Sequence, residues 1–385
     1  MASIGLLRAS GDDNDRKESF EKYQGEQPYS LRIGGSSYTL DWLNPLNMPL
    51  FVGCELNNLF NNESTSDRAL QNLFDALTTT TDPLMQLSCL QGINDAISRF
   101  GDDSGGAIAD LAVAGITGYV GQYIPTIFGQ VARTIDPKRR LTYAAKDSKY
   151  TQIGEQFARK LMNKTPGLNS KLQPYVDLWG EEDPGTDNIL LRGLEQFIFP
   201  WYSNQIEEYD PVDAELERLY VELDDAGVLP STPKNSVTIG GKDTYYVQSE
   251  NISNYRKRYG QTARVILEDM VDSEIYKGMS DGNKAKIVKV AYEYAGAYSK
   301  KTALPNVPYK YSDTWMSEAE KGLKDYGIPI ATYLLLRQES NAFEADKNAK
   351  GNAISGSKNK KIYNYINKQR LTKQQKSYLY ECLKS

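Results

Sequence analysis

The chain has 385 residues, 40% hydrophobic and 25% charged, with a net charge of −5; this fits two or three folded units and excludes a globally disordered polymer. It contains no histidine, which excludes Ser-His-Asp and Cys-His nucleophilic machinery, His-ligated zinc and His general bases. Its three cysteines, Cys54, Cys89 and Cys382, are far apart without C-x-x-C spacing, so they suggest a reduced compartment rather than a zinc site or a disulfide framework.

No secretory leader is legible at Met1–Leu7, and residues 11–27 are polar, a loop or a loose helix. Tyr29–Ile33 and Ser36–Leu40 flank Gly34-Gly35, the signature of a β-hairpin whose tight turn needs positive φ. Ser66 is placed to cap a helix carrying Leu70, Leu73, Phe74 and Leu77, and Pro83 opens a second through Ile93 and Ile97. Residues 106–135 are the most apolar stretch, carrying only Asp110 and Arg133 as charges and broken by Pro125. From 136 to 200 the prolines and glycines suggest loops joining short helices. An acidic stretch follows: Glu181 to Asp225 holds 14 Asp/Glu against two Arg, with Pro211 opening a helix through Leu223 that Gly227 ends.

A second hairpin, Ser236–Ile239 and Lys242–Val247 around Gly240-Gly241, repeats the Ile-Gly-Gly pattern. Beyond it the spacing predicts helices over 251–271, after Ser280 as cap, over 315–326 and over 330–338. A final helical pair carries Ile362, Tyr365 and Ile366, then Leu379, Tyr380 and Leu383, with Thr372 and Gln375 as a capping box before the last helix. The expected fold is therefore mainly α, a multi-helix assembly with two short β-hairpins. Its expected divisions are 1–27 (polar segment), 28–140 (hairpin and apolar helices), 141–235 (acidic, loop-rich) and 236–385 (hairpin and helical end with a basic tail). Tyrosine outnumbers phenylalanine 27 to 10, which suits half-wet packing surfaces and subunit contacts.

Three constellations carry candidate chemistry. In the apolar stretch, Ala114 and Gly118 are four apart, with Gly121 near, and let helices approach closely; Ile116 and Val120 share the segment. This is a candidate membrane or partner helix, and a buried helical pair is its plainer reading. The end of the chain, Asn341 to Ser385, holds 10 Lys/Arg against three acids, interleaved with tyrosines. Lys358, Lys360, Lys361, Tyr363 and Arg370 are its candidate nucleic-acid contacts, against the plainer reading of a solvated face or of a docking site for the acidic 181–225 stretch. Third, Leu334–Phe343 resembles the helix-end E-S-x-F element of lytic transglycosylases, with Glu339 as the acid/base candidate. The spacing to Phe343 is one residue too long, and the Gly-Leu-Met-Gln element of that family does not follow. No calcium loop, P-loop or dinucleotide fingerprint occurs, so no metal or cofactor is expected.

Longer stretches resemble another family. Tyr38–Pro45 with Met48–Gly53, Gln122–Thr126 with Val131–Pro137, Tyr259–Ala263, Ile354–Lys358, Tyr365-Ile366 and Leu371–Gln375 are similar, in order, to the C-terminal region of bacteriophage tail tape measure and large polyvalent virion-associated proteins. The resemblance implies a fragment of a non-enzymatic virion structural protein of the tail, made in the host cytoplasm, that helps set tail length and leaves with the DNA. The partners it implies are other tail proteins and further copies in the particle, with the host membrane and DNA as further candidates. It transfers no catalytic residue. The alternatives are a wall-cleaving enzyme using Glu339 and a DNA- or membrane-binding module.

Overall fold

Turn and cap residues set most element boundaries in the computed structural model, which describes residues 7–8, 14–27, 30–33, 35–40, 132, 134–136, 138–144, 149–182, 203–205, 210–239, 243–350 and 357–384. Contacts group the chain into two units, Met1–Tyr175 with Glu182–Glu208, and Val176–Glu181 with Tyr209–Ser385. The architecture is mainly α with two small antiparallel sheets.

In the first unit, β1 (Leu7–Arg8) precedes α1 (Asp15–Tyr23), which starts where Asn14 accepts from the Arg16 and Lys17 amides. A true cap thus makes a regular helix of a stretch whose polarity suggests a loop or a loose helix. The expected hairpin is β2 (Ser30–Ile33) and β3 (Ser36–Thr39), with Gly35 at φ +79°. It is not isolated. β1 pairs with β2 and β4 (Ser203–Gln205) with β3, giving a four-stranded sheet ordered β1-β2-β3-β4. Inside it the buried Ser37 hydroxyl bonds to that of Ser30 at 2.7 Å, so neither polar group is stranded. α2 (Lys149–Lys164) occupies a region whose prolines suggest only short helices; it ends just before Pro166.

The second unit is a helical assembly. α3 (Pro211–Leu223) starts on Asp210, which accepts from the Val212 and Asp213 amides, and stops at Asp224 in the left-handed region, ahead of Gly227. The second hairpin, β5 (Ser236–Ile239) and β6 (Asp243–Tyr246), is two-stranded and buries Val237. α4 (Ile252–Val271), the short α5 (Glu274–Lys277) and α6 (Asp281–Ala303) follow. α4 and α6 form the central pair. The expected stripe on α4 (Ile252, Tyr255, Tyr259, Ala263, Ile266, Met270) is buried, as are Ile287, Val288, Ala291, Tyr294 and Ala295 on α6. Each fully buried Leu, Ile or Met here contributes on the order of 2 kcal/mol. Ser280 sits at the N-cap position of α6, but its side chain makes no capping bond; its carbonyl accepts from the Asn283 and Lys284 amides instead.

α7 (Thr314–Tyr326) and α8 (Ile330–Lys350) pack together, and α8 also lies against α4 and α6. α8 runs on past Gln338 because no glycine or proline interrupts the chain before Gly351. α9 (Ser357–Lys368) and α10 (Lys373–Lys384) form the final pair, against α8 and, for α10, α7. The expected capping box is present: Gln375 N donates to Thr372 Oγ1 at 3.3 Å and Thr372 N to Gln375 Oε1 at 2.8 Å.

Candidate interaction site

α8, α9 and α10 bring several of the candidate residues into one neighbourhood. Glu339 stands inside α8, not at a helix end, and the Tyr365 hydroxyl of α9 donates to its carboxylate. Burial first, then the Glu339 charge, pushes the Tyr365 hydroxyl above its ordinary range. This is an inter-helix contact, different from the helix-end placement that the transglycosylase resemblance implies.

The tyrosines of the basic end divide into two pairs. Tyr378 is buried, stacks on Tyr326 at 4.6 Å and donates to the Glu318 carbonyl at 2.7 Å, while Tyr365 serves Glu339. Tyr363 remains 54% exposed, edge-on to Tyr380 at 5.8 Å. Arg370 is exposed at the turn between α9 and α10, as are Lys368 and Lys373. Lys358, Lys360 and Lys361 fall on the first turns of α9. The structure thus keeps a basic hairpin with one exposed tyrosine set against a half-buried one. Cys382 lies on α10 within hydrogen-bond reach of the Tyr378 hydroxyl.

Beside this hairpin is an open groove of about 730 Å3. Glu268, Asp269 and Asp272 at the end of α4 and Glu274 on α5 line it, together with Thr332 of α8, Tyr365 and Lys368 of α9 and Gln369 just beyond α9. Burial, then the neighbouring Glu268, pushes the Asp269 carboxyl up. The field in such a groove favours cationic groups. Among the described residues no cluster of three or more His, Cys, Asp or Glu could hold a metal ion. The acids facing the basic end are therefore those of α4 and α5. The described end of the acidic stretch, residues 210–225, pairs elsewhere: Asp210 and Asp213 with Arg264 of α4, and Glu215 and Asp225 with Lys284 and Lys289 of α6.

Two buried carboxyls escape the sequence reading. Glu320 of α7 is 5% exposed and pairs with Lys301 and Lys324. Burial alone would raise it, but the two ammonium groups and the Tyr311 hydroxyl outweigh that and hold it at about 2. Around it Tyr294 stacks with Tyr298 and Tyr311 and meets Trp315, which lies under Arg337 at 4.7 Å. Asp213 of α3 is 4% exposed and accepts from Trp179 Nε1 at 3.2 Å. Burial, then the Asp210 carboxylate, pushes it up to about 7 against the pull of Arg264. Only the Lys324–Glu320 and Asp210–Asp213 pairs, four and three apart, are close in sequence; Lys301, Trp179 and Arg264 are distant in the chain.

Ala114, Ile116, Gly118, Val120 and Gly121, the helices expected near 66–77 and 83–97, Cys54 and Cys89 lie outside the described residues. Among the described residues no helix is long and apolar enough to cross a membrane. Comparison of the chain with protein-family models, curated proteins and solved structures finds no match.

Proposed function

We propose that the chain is a non-enzymatic structural component of a phage tail, a piece of a tape measure-like protein that works through protein–protein contacts and leaves with the DNA. One observation carries this reading: several of the described residues behind the resemblance are packing and turn residues. Tyr259, Gly260 and Ala263 lie on the buried face of α4, Ile366 is buried on α9, and Leu371–Gln375 makes the turn and cap before α10. A likeness concentrated in such positions supports a shared scaffold. Peptide mapping of purified virions by mass spectrometry tests it. Peptides of this chain in intact particles, depleted from tails after ejection, are the expected result; their absence from particles overturns the proposal.

A second reading, contact with DNA, is favoured by the exposed Tyr363, edge-on to the half-buried Tyr380, on the hairpin that carries Arg370 and Lys368. Binding through phosphates weakens steeply with salt, and stacking on Tyr363 is lost in Tyr363→Ala. DNA binding that ignores both salt and Tyr363→Ala counts against this second reading.

A further inference from the structure

Val176–Glu181 packs within the second unit, while the chain before and after it belongs to the first. Its backbone closes on itself: Asp177 N donates to the Glu181 carbonyl at 2.9 Å, and Asp177 Oδ1 accepts from the Trp179 and Glu181 amides at 3.0 and 2.7 Å. It lies on α4 at contact distance. A Cβ on Gly260 would sit 2.3 Å from the Trp179 carbonyl carbon, and one on Gly180, at φ +81°, 2.5 Å from the Lys257 carbonyl oxygen. The Trp179 indole then donates to Asp213, and its ring lies 5.1 Å from the Arg264 guanidinium.

We propose that Val176–Glu181 is a pH-sensitive clip: docked on α3 and α4 it shuts the Asp213 carboxyl away in its protonated form, and ionisation of that carboxyl loosens it. The groups facing Asp213 are Asp210 on its own helix, Arg264 on α4 and Trp179 on the clip. Protonated Asp213 donates to Asp210, so losing the proton removes a hydrogen bond and sets two anions side by side. Arg264 cannot neutralise both, because its guanidinium is divided among Asp210, Asp213 and Glu268. Lys284 of α6 is turned to Glu215. On the clip, Asp177 is also pushed up by burial, in the same direction. Release of the clip lets water reach the Asp213 carboxylate, which removes the largest cause of its proton affinity.

The sign follows from the raised value. Docking is strongest below the ordinary 3.8 of a free carboxyl and weakens as pH rises to about 7, above which it is level. In between, the docking equilibrium falls on the order of tenfold per pH unit. Hydrogen exchange of the full chain, read by mass spectrometry from about pH 5 to about pH 8 and normalised to intrinsic exchange rates, tests this. The expected result is protection of the 176–181 amides that drops across the range while the α6 amides hold steady. A flat profile in the native chain overturns the proposal, as does the same drop in Asp213→Asn. Asp210→Asn keeps a capping acceptor and removes the facing charge, so it moves the drop to lower pH; a drop left in place also overturns the proposal.

Discussion

Asp213 and Glu320 are buried to the same degree, at 4% and 5% exposure, yet one carboxyl is pushed up to about 7 and the other held at about 2. Burial is the first cause in both and acts upward in both. What separates them is the count of counter-charges. Glu320 has Lys301 and Lys324, whose chains reach water and bring charge inward, together with the Tyr311 hydroxyl. Asp213 has a third share in one guanidinium and a second carboxylate for a neighbour. The charge stoichiometry of a buried site, more than its depth, decides which protonation state the fold selects.

The largest expected effect breaks the comparison from the Asp213 side. Gly260→Ala forces the Trp179 backbone off α4 and uncovers Val176 and Trp179, on the order of 2 kcal/mol each. Helix propensity returns about 1 kcal/mol, for a net loss of about 3 kcal/mol in urea unfolding. Asp213 then titrates near an ordinary carboxyl, and the contrast between the two sites shrinks.

Glu320→Ala comes next, with a loss of about 2 kcal/mol at neutral pH. Because its carboxyl is lowered, the Glu320 share of stability is whole above the ordinary 4.5 and is lost as pH falls towards 2. Thermal unfolding of native and variant chains should therefore converge at the acid end. Asp213→Asn has the opposite sign. The native carboxyl is raised, so its stabilising share is present at acid pH and lost by about pH 7. The variant is more stable than the native chain by about 1 kcal/mol above that pH, read as a higher Tm. Thr372→Ala is the smallest change, about 0.5 kcal/mol from a broken exposed cap. It lies away from both carboxyls, so both pH profiles should stay as in the native chain.

The sequence was most informative where structure is local. Ile-Gly-Gly marks both hairpins, Pro211 opens α3, and T-x-x-Q caps α10, because in each case the deciding partners are a few residues apart. The strands β1 and β4, which turn the first hairpin into a sheet, are two and three residues long and carry no pattern of their own. Serine at position 280 has the right identity for a cap but the backbone does the work, so residue type alone misplaces the bond. The Asp213 cluster joins Trp179, Asp213 and Arg264 from three separated segments. No spacing rule connects such residues, and only the folded arrangement reveals that one aspartate is poor in counter-charge.

Gln375 closes the last cap with its carbonyl while its Nε2 donates to the Tyr326 carbonyl at 2.8 Å, at the end of α7. A capping box ordinarily tolerates glutamate at this place, because it needs only an acceptor. Here the same side chain must be acceptor for one helix and donor to another. Deamidation to glutamate would preserve the first bond and turn the second into a meeting of two electron-rich oxygens, at a helix terminus that already carries partial negative charge. One amide nitrogen is therefore one of the ties between the end of α7 and the start of α10, and a change of less than one mass unit in about 43.2 kDa removes it, leaving the Tyr378 stack and hydrogen bond to hold the junction.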